Sequence, residues 1–359
     1  MGKYKFSLVD NVFEEQARKA PKGSPKPLTL IQQPSLGLLP NFDKGSSSFD
    51  ENVPEPWARI RNYVDALNRE GANNKKSTES PEGAKYKVIF LLRHGYSLHN
   101  YIEKGVKEVD KKGNVKEPNW RGGKQFAFQK EVSLEALRGF GCEVPEVLEA
   151  HLRGGGPNAT AKVVLHDAAL LPKEITEAIR GSEVPNNDAG DLGKQWLAWV
   201  KDDKFPLPDA IYTSPLRRCL ETTRKVYAPV FEAHSRKFEP EIKEKLREWG
   251  NGDACNYRRT KSSILAEFPN YKPEVGFGDE DRYEYQIEVA RSGVFAESPV
   301  ERDHRMQDVL DAIFDDDETR IVSLTTHSFS IGALTRAFDH ERILDEGGIA
   351  AFLVKAVPS

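Results

Sequence analysis

Residues 86–92, Tyr-Lys-Val-Ile-Phe-Leu-Leu, form an almost unbroken apolar run that stops on Arg93-His94-Gly95. Its length and its β-forming side chains fit a strand buried on both faces better than a helix. Such strands belong to parallel sheets covered by helices, so this stretch confines the chain to an α/β architecture. In those sheets, ligands bind in the crevice outside the carboxyl ends of the strands. The run therefore delivers a cation, an imidazole and a flexible backbone point to the ligand end. Ser97 is placed to cap the next helix, whose free N–H groups would face an anion.

The 359 residues can bury a large core, and 38% hydrophobic with 30% charged residues suits a globular chain. A formal net charge of −4 argues against general nucleic-acid binding. No apolar stretch approaches the ~18 residues of a membrane span. The N-terminus, Met-Gly-Lys-Tyr-Lys-Phe, lacks an apolar signal core. Cys142, Cys219 and Cys255 have neither disulfide-framework nor metal-ligand spacing. The expectation is a cytoplasmic protein with reduced thiols, no nucleic-acid or membrane partner and no metal. The oligomeric state stays open.

Residues 1–55 read as irregular but carry too many apolar groups for a free tail, so an extended arm over the main domain is expected. Trp57, Ile60, Tyr63, Val64 and Leu67 predict a helix from about Pro56 to Glu70, with Gly71 as its stop. Polar residues 72–85 read as a surface linker. The division is thus an arm and helix over 1–85 and a main domain over 86–359. Two insertions interrupt that domain, at about 105–161 and 172–190. The first holds weak helical stripes and Trp120-Arg121-Gly122-Gly123-Lys124, which reads either as a solvated loop or as a second anion contact.

Val163–Leu165 reads as a short strand, and Leu192 onward as a helix to about Val200. Pro208–Thr213 is a second core strand, followed by Ser214-Pro215-Leu216-Arg217-Arg218, in which Ser214 would cap and Pro215 would open a helix. Ser298 and Glu301 predict a capping box, with Met306, Val309, Leu310 and Ile313 as the buried stripe. Asp315–Glu318 reads as a charged turn. Arg320–Thr326 is a third core strand, ending on His327-Ser328, and Ile349–Val357 closes the sheet. Of eight histidines, only His94 and His327 follow a core strand with a small residue next.

The Arg93-His94-Gly95 junction, Ser214-Pro215-Leu216-x-Arg218-x-x-x-Thr222, Leu246-x-Glu248 before Gly250, and Thr326-His327 resemble, in that order, the motifs of the histidine phosphatase superfamily. Asp253–Arg259 resembles the Cys-Asp-x-Arg stretch of its fungal-type, phosphoglycerate-mutase-like branch, with Asn256 where Asp is usual. The resemblance implies a three-layer α/β sandwich with a mostly parallel central sheet. It implies a metal-independent phosphatase acting on a small-molecule phosphate monoester through a phosphohistidine, with no cofactor. A phosphomutase, or a phosphate-binding protein without turnover, are the alternatives. Carried over by position, His94 is the nucleophile, Glu248 the proton donor, and Arg93, Arg218 and His327 hold the phosphoryl oxygens. Gly95, Ser97, Asn100, His99 and Ser328 would line the substrate.

Overall fold

In a computed structural model, the described residues are 2–14, 28–29, 34–72, 83–105, 131–139, 144, 146–153, 162–180, 189–201, 205–249, 254–280 and 297–359. The main elements in chain order are β1 (Tyr4–Leu8), α1 (Pro56–Ala72), β2 (Lys85–Arg93), α2 (Leu98–Gly105), α3 (Ala189–Val200), β3 (Ala210–Thr213), α4 (Arg217–Ala233), β4 (Glu241–Ile242), β5 (Lys272–Pro273), α5 (Pro299–Asp315), β6 (Ile321–Thr326), α6 (Ser328–Arg336) and β7 (Ile349–Pro358).

The strands form a seven-stranded sheet in the order β1-β7-β2-β6-β3-β4-β5. β2, β6, β3, β4 and β5 run parallel, β7 is antiparallel to β2, and β1 is antiparallel to β7. The mostly parallel sandwich expected from the sequence is the architecture observed. β2 lies inside it, between β7 and β6, because it can be buried on both sides. Tyr86, Val88, Phe90 and Leu92 join a core with α1, α3 and α4 on one face. Ile89 and Leu91 join a second core with α5 and α6 on the other. The first core is aromatic: Phe90 meets Trp196 edge-on at 5.1 Å between centroids, and Trp57 lies 4.3 Å from Phe205.

The N-terminal segment departs from the irregular reading. Tyr4–Leu8 is a strand, paired with β7 from Tyr4↔Pro358 to Leu8↔Val354. Its alternation buries Tyr4 and Phe6 and leaves Lys5 exposed. Farther on, buried Arg59 of α1 holds buried Asp43 with a two-pronged contact at 2.8 and 3.0 Å, tying residues 40–53 to the helix.

The short strand near 163 is Lys162–Val164. It pairs antiparallel with Glu131–Ser133 in a separate two-stranded sheet and not with the central one. Helices Leu134–Gly139 and Glu146–Arg153 fall on the two stripes of the first insertion. The 120–124 motif, the 181–188 part of the second insertion and residues 73–82 of the linker lie outside the described residues. Among the described residues, no helix is long and apolar enough to cross a membrane, and no group of three or more His, Cys, Asp or Glu side chains is arranged to hold a metal ion.

Candidate active site

β2, β3 and β6 are parallel and in register, so their carboxyl ends fall side by side: Arg93 pairs with Thr326, and Thr213 with Thr325. The next residues, His94, Ser214 and His327, therefore leave the sheet at one edge. His94 is 2% exposed and His327 fully buried, with ring centroids 5.1 Å apart. His99, from the first turn of α2, brings a third imidazole 5.6 Å from His94.

Backbone chemistry fixes the His94 tautomer. Its Nδ1 lies 2.8 Å from the carbonyl of Gly95. A carbonyl only accepts, so Nδ1 carries the hydrogen and the neutral ring keeps its lone pair on Nε2. The Gly95 N–H donates to Thr222 Oγ1 at 2.9 Å, so this glycine is pinned and not the flexible point expected. Asn100 Oδ1 accepts from both the N–H and the hydroxyl of Ser97, at 3.2 and 2.7 Å. Ser97 Oγ also lies 2.5 Å from His99 Nδ1. Ser97 thus orients His99 and Asn100; its hydroxyl does not cap the helix N–H groups.

Of the paired arginines, Arg218 points inward at 1% exposure, whereas Arg217 spans Glu221 and Glu267 at the surface. Arg218 donates to the Cys255 carbonyl at 2.6 Å and to Asn256 Oδ1 at 2.9 Å. Arg93 donates to the Leu344 carbonyl at 2.8 Å and to Glu346 at 3.0 Å. In each guanidinium the Nε–H is buried without an acceptor. Two buried donors left open on two cations suit a site that receives an anion.

Burial, then the charges of Arg218, His94, His99 and Arg93, hold the His327 pKa well below the usual imidazole value, so the ring is neutral near pH 7. His327 Nε2 meets Ser214 Oγ at 2.9 Å. That contact corrects the capping role expected of Ser214. α4 begins at Arg217 after Leu216, without a side-chain cap, and Pro215 lies before the helix. Ser328 opens α6 and is partly exposed.

Glu248 comes from the irregular segment after β4, partly exposed, with the Trp249 N–H donating to its Oε1 at 2.9 Å. Burial raises its pKa. The Trp249 N–H and Arg218, Arg93 and Arg305 oppose that rise without cancelling it. Sequence reasoning missed Glu346, the contact of Thr222 with the Gly95 N–H and the contact of Ser214 with His327. Each follows from tertiary approach and has no local signature. Asn256 was noticed only as a departure from a pattern, and here it holds Arg218 by its amide oxygen.

Residues 195–345 match the family model of the Histidine phosphatase superfamily (branch 1). With the ordered motifs and the sheet above, this match makes the chain similar to the histidine phosphatase superfamily and supports an activity of phosphatase or phosphomutase type. Within it, the chain resembles fungal phosphoglycerate-mutase-like proteins. It is 27% identical to a "Probable phosphoglycerate mutase" of Arthroderma benhamiae, over 93% of this chain and 80% of that protein. It is 25% identical to "Phosphomutase-like protein 3" of Candida albicans, over 87% of this chain and 79% of that protein. The crystal structure of a phosphoglycerate mutase from Bacillus anthracis aligns with 75% of this chain and 88% of its own, at 13% identity and a TM-score of 0.38.

Proposed function

We propose that the chain is a phosphatase that hydrolyses a small-molecule phosphate monoester through a phosphohistidine on His94, with residues 86–359 as the catalytic domain. The observation that carries this reading is the His94 ring, fixed by its Nδ1 contact so that the neutral form has its lone pair on Nε2, beside neutral His327 and two arginines with open Nε donors. A phosphoryl dianion spreads charge over its equatorial oxygens in the transition state. Here the guanidiniums of Arg93 and Arg218 meet that charge, a task other phosphoryl-transfer sites give partly to a metal. Nε2 of His94 attacks phosphorus, the bond from phosphorus to the alcohol oxygen breaks, and Glu248 gives that oxygen its proton. Water then attacks the phosphohistidine, Glu248 takes the water's proton, and the P–N electron pair returns to Nε2. The thiols of Cys219 and Cys255, in no disulfide, suit a cytoplasmic setting.

The relatives' names favour a second reading, a mutase that returns the phosphoryl group to another oxygen. One assay separates the two: inorganic phosphate released from a panel of monoesters without a bisphosphate primer. His94→Ala is expected to lower phosphate release by at least ~10⁴-fold, because the nucleophile is gone. The wild type should also trap an acid-labile, base-stable phosphoryl group. Wild-type rates in His94→Ala would remove the assigned nucleophile. Isomerised product without phosphate would favour the mutase, and neither product nor label would leave a binding protein.

A further inference from the structure

Arg302 stands in the first turn of α5 and is 6% exposed. Its guanidinium carbon lies 5.6 Å from the ring centre of Trp249 and 5.5 Å from that of Phe329, and the two rings meet edge-on. Its Nε–H is buried without an acceptor. Among the described residues, no carboxylate or carbonyl takes any of its side-chain N–H groups. Nearby acids are already engaged, Glu297 by Arg305, and Asp303 by Arg336. Ring faces attract a cation but accept few hydrogen bonds, so a nearly buried guanidinium between them keeps unmet donors. Such a group is costly unless something pairs with it.

Its position relative to the reacting groups sets what that partner is. Trp249 follows Glu248, Phe329 is two residues past His327, and Glu248 is among the charges that act on Arg302. The cation therefore lies on the Glu248 side, where the proposed mechanism puts the leaving alcohol. Phe329 is 44% exposed, so the aromatic clamp reaches solvent.

We propose that Arg302, clamped between Trp249 and Phe329, binds an anionic group, a carboxylate or a second phosphate, carried by the alcohol half of the substrate. The assignment rests on the phosphatase reading for the identity of that half. It makes Arg302 a specificity residue: it selects monoesters with a second negative charge and positions the leaving oxygen against Glu248.

The test uses three-carbon monophosphates matched except at the far end, which is a hydroxyl, a carboxylate or a second phosphate. Wild type should favour one or both charged ends in kcat/KM. Arg302→Gln should lower kcat/KM for the favoured compound about ten- to hundredfold and leave the hydroxyl compound within about twofold. Arg302→Lys, which keeps the charge, should retain most of the preference. Which charged compound suffers most tells carboxylate from phosphate. Calorimetric binding of the same compounds to His94→Ala, with and without Arg302→Gln, repeats the comparison without turnover. Absence of a preference in wild type, its survival in Arg302→Gln, an equal loss on all three compounds, or its disappearance in folded Arg302→Lys would each overturn the proposal. No phosphate release from any compound, with the binding difference intact, would sink the phosphatase reading and leave the anion site standing.

Discussion

Glu248 has a proton affinity set by opposing surroundings. Burial pushes the carboxyl up, and the Trp249 N–H with Arg218, Arg93 and Arg305 pulls it back without cancelling the rise. If the proposed acid role holds, the protonated form is the active one in the first step. Turnover of alkyl phosphates, which need leaving-group protonation, should then fall as pH rises through this raised pKa. Glu248→Gln should abolish that limb and slow alkyl phosphates by about 10²–10⁴-fold, with a smaller loss on aryl phosphates. The same shift bears on folding. A carboxyl raised above its unfolded value of about 4.3 favours the fold below that value, and this contribution is lost as pH rises through the folded pKa. Glu248→Gln should therefore melt above wild type at pH 8, and the gap should close toward pH 4. An unchanged melting temperature at both pH values would show that the carboxylate is not strained by burial. The choice between Arg217 and Arg218 was legible because the motif spacing falls on the second residue. Glu346 was illegible: its place beside Arg93 is made by chain 253 residues away.

At the scale of elements, local signals read true and tertiary ones did not. The Ser298 and Glu301 box closes in both directions, with Glu301 N–H donating to Ser298 Oγ and Ser298 N–H to Glu301. Both partners lie within four residues, so no distant group competes. Ser214 has the same local credentials, yet its hydroxyl is taken by His327 from another strand. The packing of α3 on α4 likewise rests on a residue whose role the sequence hides. A Cβ on Gly193 would fall 2.3 Å from the carbonyl oxygen of Lys225 in α4. α4 carries Arg218 and Thr222, which hold the site. Gly193→Ala must push the helices apart. It should destabilise the protein by about 1–3 kcal/mol, read from a denaturant midpoint, and raise KM more than a surface substitution of equal ΔG. A Gly193→Ala protein with unchanged midpoint would mean that the helices separate at no cost.

For the molecule as a whole, the legible part was the block of parallel strands, because burial on both faces leaves an apolar run that nothing else explains. The edge was less legible. Tyr4-Lys5-Phe6-Ser7-Leu8 alternates as a half-buried strand should, but it is five residues long inside a Pro- and Gly-rich segment. Its role emerges only from its partner. β1 covers β7 over residues 354–358, packs Phe6 5.3 Å from Phe314, and anchors Tyr4 OH to Asp315 at 2.9 Å. The site lies at the opposite end of β7, where Ile349 pairs with Leu92. Removal of residues 1–9 should therefore separate stability from chemistry. Losing the burial of Tyr4 and Phe6 costs about 1.5–3 kcal/mol for each side chain, and the bared β7 edge should drive concentration-dependent self-association on gel filtration. The remaining monomer should keep kcat/KM within about twofold, since no group within reach of His94 has moved. A truncated protein that stays monomeric and stable but loses turnover would instead make the N-terminal arm part of the catalytic site.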